Sequence, residues 1–348
     1  MLDNLTGLRF YTALWVFMFH LSTEYVKELD FFPFNKGYLG VDVFFVLSGF
    51  ILTYVYYRSF FLEKINLKKY YNFLLRRFAK IYPLHLLTFL LIMGMLYVGK
   101  FVFNQSSIRL QNETILQNVF LIHAWNTTSE ISWNFPSWSI SAEWFAYLFL
   151  FVLLAFLYRL SSKLYIFTII FVLLFFLYKW SNLSDFSMNH YTFNSLERII
   201  PEFLLGSLLG FIKLKFNINK LYSTLLFIFA VSVFMTSYLW ISNIDKVSIL
   251  IFGLLILSLS YKTYFDRLFC SERLLFLGNI SFAFYLTQFA SFIIFEQTIK
   301  FVSFNNFYLM VVVKITFVLL LNLLFAKVCY SYYEEPIRKY IVQKFTKK

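Results

Sequence analysis

Ten apolar runs alternate along the chain with short polar stretches: 8–27, 38–57, 81–99, 138–157, 164–180, 195–212, 221–241, 247–261, 274–298 and 307–328. Most are long enough to cross about 30 Å of hydrocarbon as α-helices. The pattern predicts an all-α fold, a polytopic transmembrane helix bundle of about ten spans. A single domain over 1–348, with no soluble domain attached, is expected. The eighth run, "VSILIFGLLILSLSY", is short, and losing it would carry the C-terminus to the other side. The basic residues orient the bundle. With the N-terminus cytoplasmic, 21 Lys/Arg fall on inside segments, seven on outside segments and three within or beside spans. This bias predicts that both termini are cytoplasmic. The one long outside segment, 100–137, contains "ILQNVFLIHAWN", too short to span, and is expected to lie in the interface or to re-enter as a cavity wall.

Composition agrees. Hydrophobic residues make up 60% of the chain and charged residues 14%, more apolar surface than a soluble domain of this size can bury. The 49 Phe and 25 Tyr suit lipid-facing and interfacial positions. The net charge of +13 lies in short loops between apolar runs, as membrane orientation requires, so no nucleic-acid partner is expected. Two cysteines, Cys270 and Cys329, make neither a disulfide framework nor a CxxC, and no metal is expected. Residues 1–27 lack the basic start and small-residue cleavage site of a signal peptide, so the first helix is expected to stay.

Ionisable groups inside spans are costly and mark functional sites by default. In "RFYTALWVFMFH", Arg9 and His20 lie eleven residues apart. On a helix that is about 20° past three turns and roughly 16 Å of rise, so the two share a face. His20 suits proton transfer near neutral pH, or is a buried histidine bonded to a neighbouring helix. Arg9 also fits a snorkelling arginine at the rim. Asp42 can cap, pair or bind, and Ser48-Gly49 reads as a close helix contact. Arg76, Arg77 and Lys80, in a basic loop before Pro83 opens the third span, either orient that span or hold phosphates. Glu143 either complements a helix dipole or faces a histidine. Arg198 and Glu202, four apart, are expected to pair along one helix. Trp125, Trp133, Trp138 and Trp144 read as interfacial anchors, or as stacking surfaces for a sugar. His85, His123 and His190 receive no role.

Seven stretches, in order, resemble the acyltransferase 3 family of integral membrane acyltransferases: "LTGLRFYTALWVFMFH", "GYLGVDVFFVLSGFIL", "RRFAKIYP", "WSISAEWF", "RIIPEFLLGSLLG", "LGNISFAFYLTQF" and "YYEEPIRKYI". The resemblance implies an O-acyltransferase in a bacterial cytoplasmic (inner) membrane. It would move an acyl group, usually acetyl, from cytosolic acetyl-CoA or another acyl-CoA to a hydroxyl of an extracytoplasmic sugar or surface polysaccharide. Arg9 and His20 then match the family's arginine–histidine pair, and Glu143 the glutamate of its W-S-x-S-x-E stretch. Arg77 and Lys80 match its R-x-x-R, with lysine in place of the second arginine. Such a lysine keeps charge but loses the bidentate fork, so the implied grip on CoA phosphate is expected to be looser or shared with Arg76. Where many relatives carry a histidine, this chain has Gln288 in "FYLTQF", and an amide cannot act as a base. Many relatives also carry an extracytoplasmic hydrolase-like domain. With membrane lipid around the bundle, Asp42, Ser48, Arg198 and Glu202 are expected to support substrate or structure. The competing class is a transporter or flippase of a lipid-linked saccharide, which inverted repeats would favour; none is evident.

Overall fold

The computed structural model describes residues 2–130, 132–183, 187–188, 191–240, 244–299 and 307–346, with no strand among them. His190 lies outside the described residues. The helices are α1 (Asp3–His20), α2 (Gly40–Tyr56), α3 (Leu67–Phe101), α4 (Ile115–Val119), α5 (Trp138–Phe145), α6 (Phe151–Leu160), α7 (Ser162–Ser181), α8 (Tyr191–Lys215), α9 (Lys220–Trp240), α10 (Asp245–Leu259), α11 (Glu272–Ile299), α12 (Phe307–Cys329) and α13 (Glu335–Phe345). π-helical turns extend α1 over Leu21–Tyr25 and α2 over Tyr57–Leu62. Two more join α5 to α6 and α12 to α13.

Among the described residues, seven helical stretches are long and apolar enough to cross a membrane: Phe34–Leu62, Leu67–Phe101, Phe135–Leu160, Ser162–Ser181, Lys220–Ser237, Glu272–Ile299 and Tyr308–Phe345. They cover seven of the ten apolar runs. The other three fall on α1, α8 and α10. Helix α10 has 15 residues, a rise of roughly 22 Å. Helices α1 and α8 interrupt their apolar runs with Arg9 and His20, and with Glu197, Arg198 and Glu202. Arg198 and Glu202 turn inward and are fully buried, which is where a bundle tolerates such groups.

The basic stretch before Pro83 is not a loop. Asn66 caps α3, its side chain accepting a hydrogen bond from the Lys69 amide at 2.8 Å, and the helix then runs 35 residues with Pro83 inside it. Roughly 52 Å of helix exceeds the hydrocarbon thickness, so its charged first turns continue past the apolar zone as helix.

The tightest packing is between α2 and α8. A Cβ on Gly206 would meet the Val46 carbonyl oxygen at 1.9 Å, and one on Gly49 would meet that of Phe203 at 2.1 Å. Only glycine allows such backbone contact. Beside it, Ser207 Oγ bonds Thr53 Oγ1 at 2.6 Å and Tyr165 OH at 2.8 Å, which ties in α7. Helix α1 packs along α11, where the backbone of Thr6 closes on Gly278. At the other end of α2, Lys36 and Tyr38 converge on buried Asp245 of α10 at 3.2 and 2.8 Å.

Segment 102–137 folds back on α3. The Asn118 carbonyl meets His85 Nε2 at 2.9 Å, and the Asn134 side-chain amide donates to Thr88 Oγ1 and to the Leu286 carbonyl, both at 3.1 Å. Its Leu116 and Phe120 are exposed. Trp133 and Trp138 are buried in protein, which overturns their reading as interfacial anchors. Trp133 donates to Thr114 Oγ1 at 3.1 Å and Trp125 to the Ser141 carbonyl at 2.7 Å. Cys270 and Cys329 are free thiols.

A substitution at the α2–α8 contact tests this packing. Gly206→Ala is expected to cost about 1–3 kcal/mol by overpacking. Gly94→Ala, in α3 with nothing near its would-be Cβ, is expected to gain up to about 1 kcal/mol of helix propensity. Thermal unfolding of the two detergent-solubilised variants measures the contrast.

Candidate active site

A cleft of about 190 Å³ opens among α1, α2, α3, α5 and α11. Helical spacing supplies its walls. Arg77, Lys80 and Ile81 come from one face of α3, and Ser48, Ile51 and Leu52 from α2. Ser139, Ile140, Glu143 and the following Tyr147 lie along the α5 side, Ser281, Phe282 and Tyr285 come from α11, and Arg9 from α1. Five of the sequence-selected residues therefore meet here: Arg9, Ser48, Arg77, Lys80 and Glu143. Arg76 does not. One position from Arg77 is about 100° around the helix, and Arg76 is exposed away from the cleft; the sharing of a phosphate grip with it finds no geometry.

Three cations thus face one carboxylate among the lining residues. Ser48 donates to Glu143 across the cleft, and Tyr147 lines the cleft one turn after Glu143. The packing contact expected of Ser48-Gly49 is divided: Gly49 makes it, and Ser48 faces the cleft. Lys80 pairs with Glu334, which is buried in the turn between α12 and α13. Arg77 reaches the Tyr56 hydroxyl at 3.4 Å and lies 5.7 Å from that ring and 5.9 Å from Tyr147. Its buried Nε has no hydrogen-bond partner. Among the described residues, neither Arg9 nor Arg77 has a carboxylate within salt-bridge distance. Two guanidiniums without carboxylate partners beside an apolar cleft suit an anionic ligand.

His20 is the last residue of α1, where the α-helix gives way to its π-helical turn, a distortion frequent at functional sites. The imidazole is 9% exposed, 4.6 Å from the Phe135 ring and 5.1 Å from that of Phe19. Among the described residues no hydrogen bond joins it to Glu143, which accepts from Ser48 instead. Phe135 opens the segment leading into α5. Two residues later Ser137 bonds His123 Nε2 at 3.1 Å, and Ser139 bonds the Tyr285 hydroxyl at 2.9 Å.

The Arg198–Glu202 pair expected along α8 does not form. Arg198 instead grips Asp42 of α2 through two hydrogen bonds, Nε at 3.1 Å and Nη2 at 2.8 Å, with Trp138 4.9 Å from its guanidinium. A bidentate partner on a facing helix outcompetes a single contact along one helix. Glu202 is fully buried beside Asp42 and makes no salt bridge among the described residues.

Sequence reading missed Tyr147, Ser139, Tyr285 and Glu334. Tyr147 was within reach, since four residues from Glu143 on a helix is the same face. Glu334 lies 254 residues from Lys80, and no local signal joins them. Among the described residues, no group of three or more His, Cys, Asp or Glu could hold a metal.

Removing one partner of the buried ion pair leaves the other uncompensated. Arg198→Met is expected to cost about 3–5 kcal/mol, part of which the double variant Asp42→Leu/Arg198→Met regains. Melting temperatures of the single and double variants check this.

The comparisons with known proteins follow the same path. The acyltransferase MdmB of Streptomyces mycarofaciens is 33% identical over 164 residues, 42% of this chain and 38% of that protein. The O-acetyltransferase OatA of Staphylococcus aureus (strain NCTC 8325 / PS 47) is 24% identical over 377 residues, covering 97% of this chain and 57% of OatA. A putative O-acetyltransferase of strain COL, SACOL0978, is 24% identical over 368 residues with the same coverage. The chain therefore spans little more than half the length of these staphylococcal relatives. No solved structure matches. The family profile described as an acyltransferase domain matches residues 2–330, and the chain belongs to the acyltransferase 3 family.

Proposed function

We propose that this protein is a membrane O-acyltransferase that takes an acyl group, acetyl in the first instance, from cytosolic acyl-CoA. The acceptor is a hydroxyl of an extracytoplasmic saccharide. In this reading ten helices span the cytoplasmic membrane with both ends of the bundle inside. The observation that carries it is the cleft itself: Arg9, Arg77 and Lys80 converge on one apolar space, and the helix bearing Arg9 ends at His20. Arg9 and Arg77 hold the phosphates of CoA. Lys80 is already neutralised by Glu334 and contributes chiefly by fixing α3 to the C-terminal helices. The acyl-bearing arm extends along α1 toward His20, roughly 16 Å away by helix rise, and the acceptor enters from the opposite side.

His20 accepts the proton of the acceptor hydroxyl as its oxygen adds to the thioester carbonyl. The new C–O bond forms, the C–S bond breaks, and the thiolate leaves with the bonding pair. It takes the proton back from His20, so no net charge is made. The ring lies against the apolar rings of Phe19 and Phe135. An acyl-histidine relay is the covalent variant, separable by trapping label on the protein.

The reading is checked by following label from radioactive acetyl-CoA into the glycan fraction of membranes. Wild type is expected to transfer label and His20→Ala to lose it at least about 100-fold. Arg77→Ala is expected to raise KM for acetyl-CoA by about 10-fold or more, the size of a lost charged hydrogen bond. Equal label from wild type and His20→Ala would remove the histidine from the chemistry. Transport of a lipid-linked saccharide with no consumption of acyl-CoA would replace acyl transfer with the carrier reading.

A further inference from the structure

Helices α1 and α11 run side by side in the same direction. Thr6 lies against Gly278, Phe10 is 6.0 Å from Phe284, and Tyr25 is 4.8 Å from Phe292. Between these levels, Phe17 packs against both Phe284 and Phe292, at 5.2 and 5.1 Å. Gln288 sits midway between those two phenylalanines, four residues from each, so it occupies the α11 stripe that faces α1 at the level of Phe17. His20 is one helical turn further on. The α11 residues that line the cleft, Ser281, Phe282 and Tyr285, end one turn before Gln288. The amide therefore lies at a level between the cationic cleft and the histidine.

Gln288 is fully buried, and neither its Oε1 nor its Nε2 has a hydrogen-bond partner. Its neighbours on α11 show the contrast. Thr287 and Ser291 both bond Asn322 of α12, at 2.8 and 3.1 Å, and Asn322 also donates to the Phe284 carbonyl. Polar groups on the α12 side of α11 are thus satisfied, while the amide on the α1 side is not. An unsatisfied amide in a dry interior is costly, and an apolar side chain of the same shape would remove that cost. Such a group makes sense where a ligand completes it.

We propose that Gln288 is a catalytic residue whose Nε2–H donates to the acyl carbonyl oxygen of the thioester. As the acceptor oxygen adds and His20 takes its proton, negative charge gathers on that carbonyl oxygen. The amide donor stabilises it until the C–S bond breaks and the charge leaves on sulfur. The inference rests on the acyl-transfer reading and gives the amide a role that requires no basicity.

Gln288→Met keeps length and volume and removes both polar ends. In the labelled acetyl-CoA assay it is expected to lower kcat about 100-fold, with KM for acetyl-CoA within about threefold. Its melting temperature in detergent is expected to equal or exceed that of wild type. A Gln288→Met protein with unchanged kcat overturns the proposal while leaving acyl transfer standing. So does one whose activity falls only in step with its folded fraction, because the amide would then be structural. Wild type that transfers no label overturns the acyl-transfer reading and this proposal together.

Discussion

Gly49 and Gly206 let the backbones of α2 and α8 touch, and Arg198 on α8 grips Asp42 on α2. With no Cβ at the crossing and a two-pronged charge contact beyond it, the two helices cannot slide or rotate without burying an unpaired ion. Ser48 is consequently held facing away from α8, toward Glu143. The rest of the cleft is built outward from that fixed pair. Trp138 lies over the guanidinium of Arg198 and packs edge-on against Phe45 at 6.0 Å, which sets where α5 begins.

The residues leading into and opening α5 then join nearly every wall of the site. Asn134 bonds α3 and α11, and Phe135 lies between His20 and Phe289 at 4.6 and 4.9 Å. The Pro136 carbonyl accepts from Tyr285 at 2.9 Å, and Ser139, Ile140 and Glu143 turn into the cleft. Three of these contacts are hydrogen bonds in surroundings with little water to replace them. The histidine and the cationic cleft are therefore both held by one short stretch of chain.

Polar groups in the bundle fall into two kinds. Some are satisfied, as in the Lys36–Tyr38–Asp245 cluster and the Thr287–Ser291–Asn322 set. Others keep buried atoms without a partner, including Arg77 Nε in the cleft wall and both ends of Gln288. A folded chain tolerates the second kind at a cost in stability that substrate contacts can offset, which is how a binding site differs from a packing interface.

Most of the helices, and the candidate residues on them, were legible in the sequence because apolar runs and isolated charges are local facts. Arg9, Arg77, Lys80 and Glu143 could be picked out one by one, for hydrocarbon penalises any charge without a purpose. Their partners could not. Whether Arg198 pairs with Glu202, four residues away, or with Asp42, 156 residues away, depends on which helix faces α8. Whether Ser48 packs or binds depends on Gly49 having taken the packing role. The extension of α3 through its basic stretch was hidden for a related reason: the apolar pattern marks where lipid ends, and a capped helix continues beyond that point. Sequence by itself determined the helices and the charges they must carry inward. Tertiary structure alone decided which charges meet, because rotation of each helix about its axis is set by contacts between residues far apart in the chain.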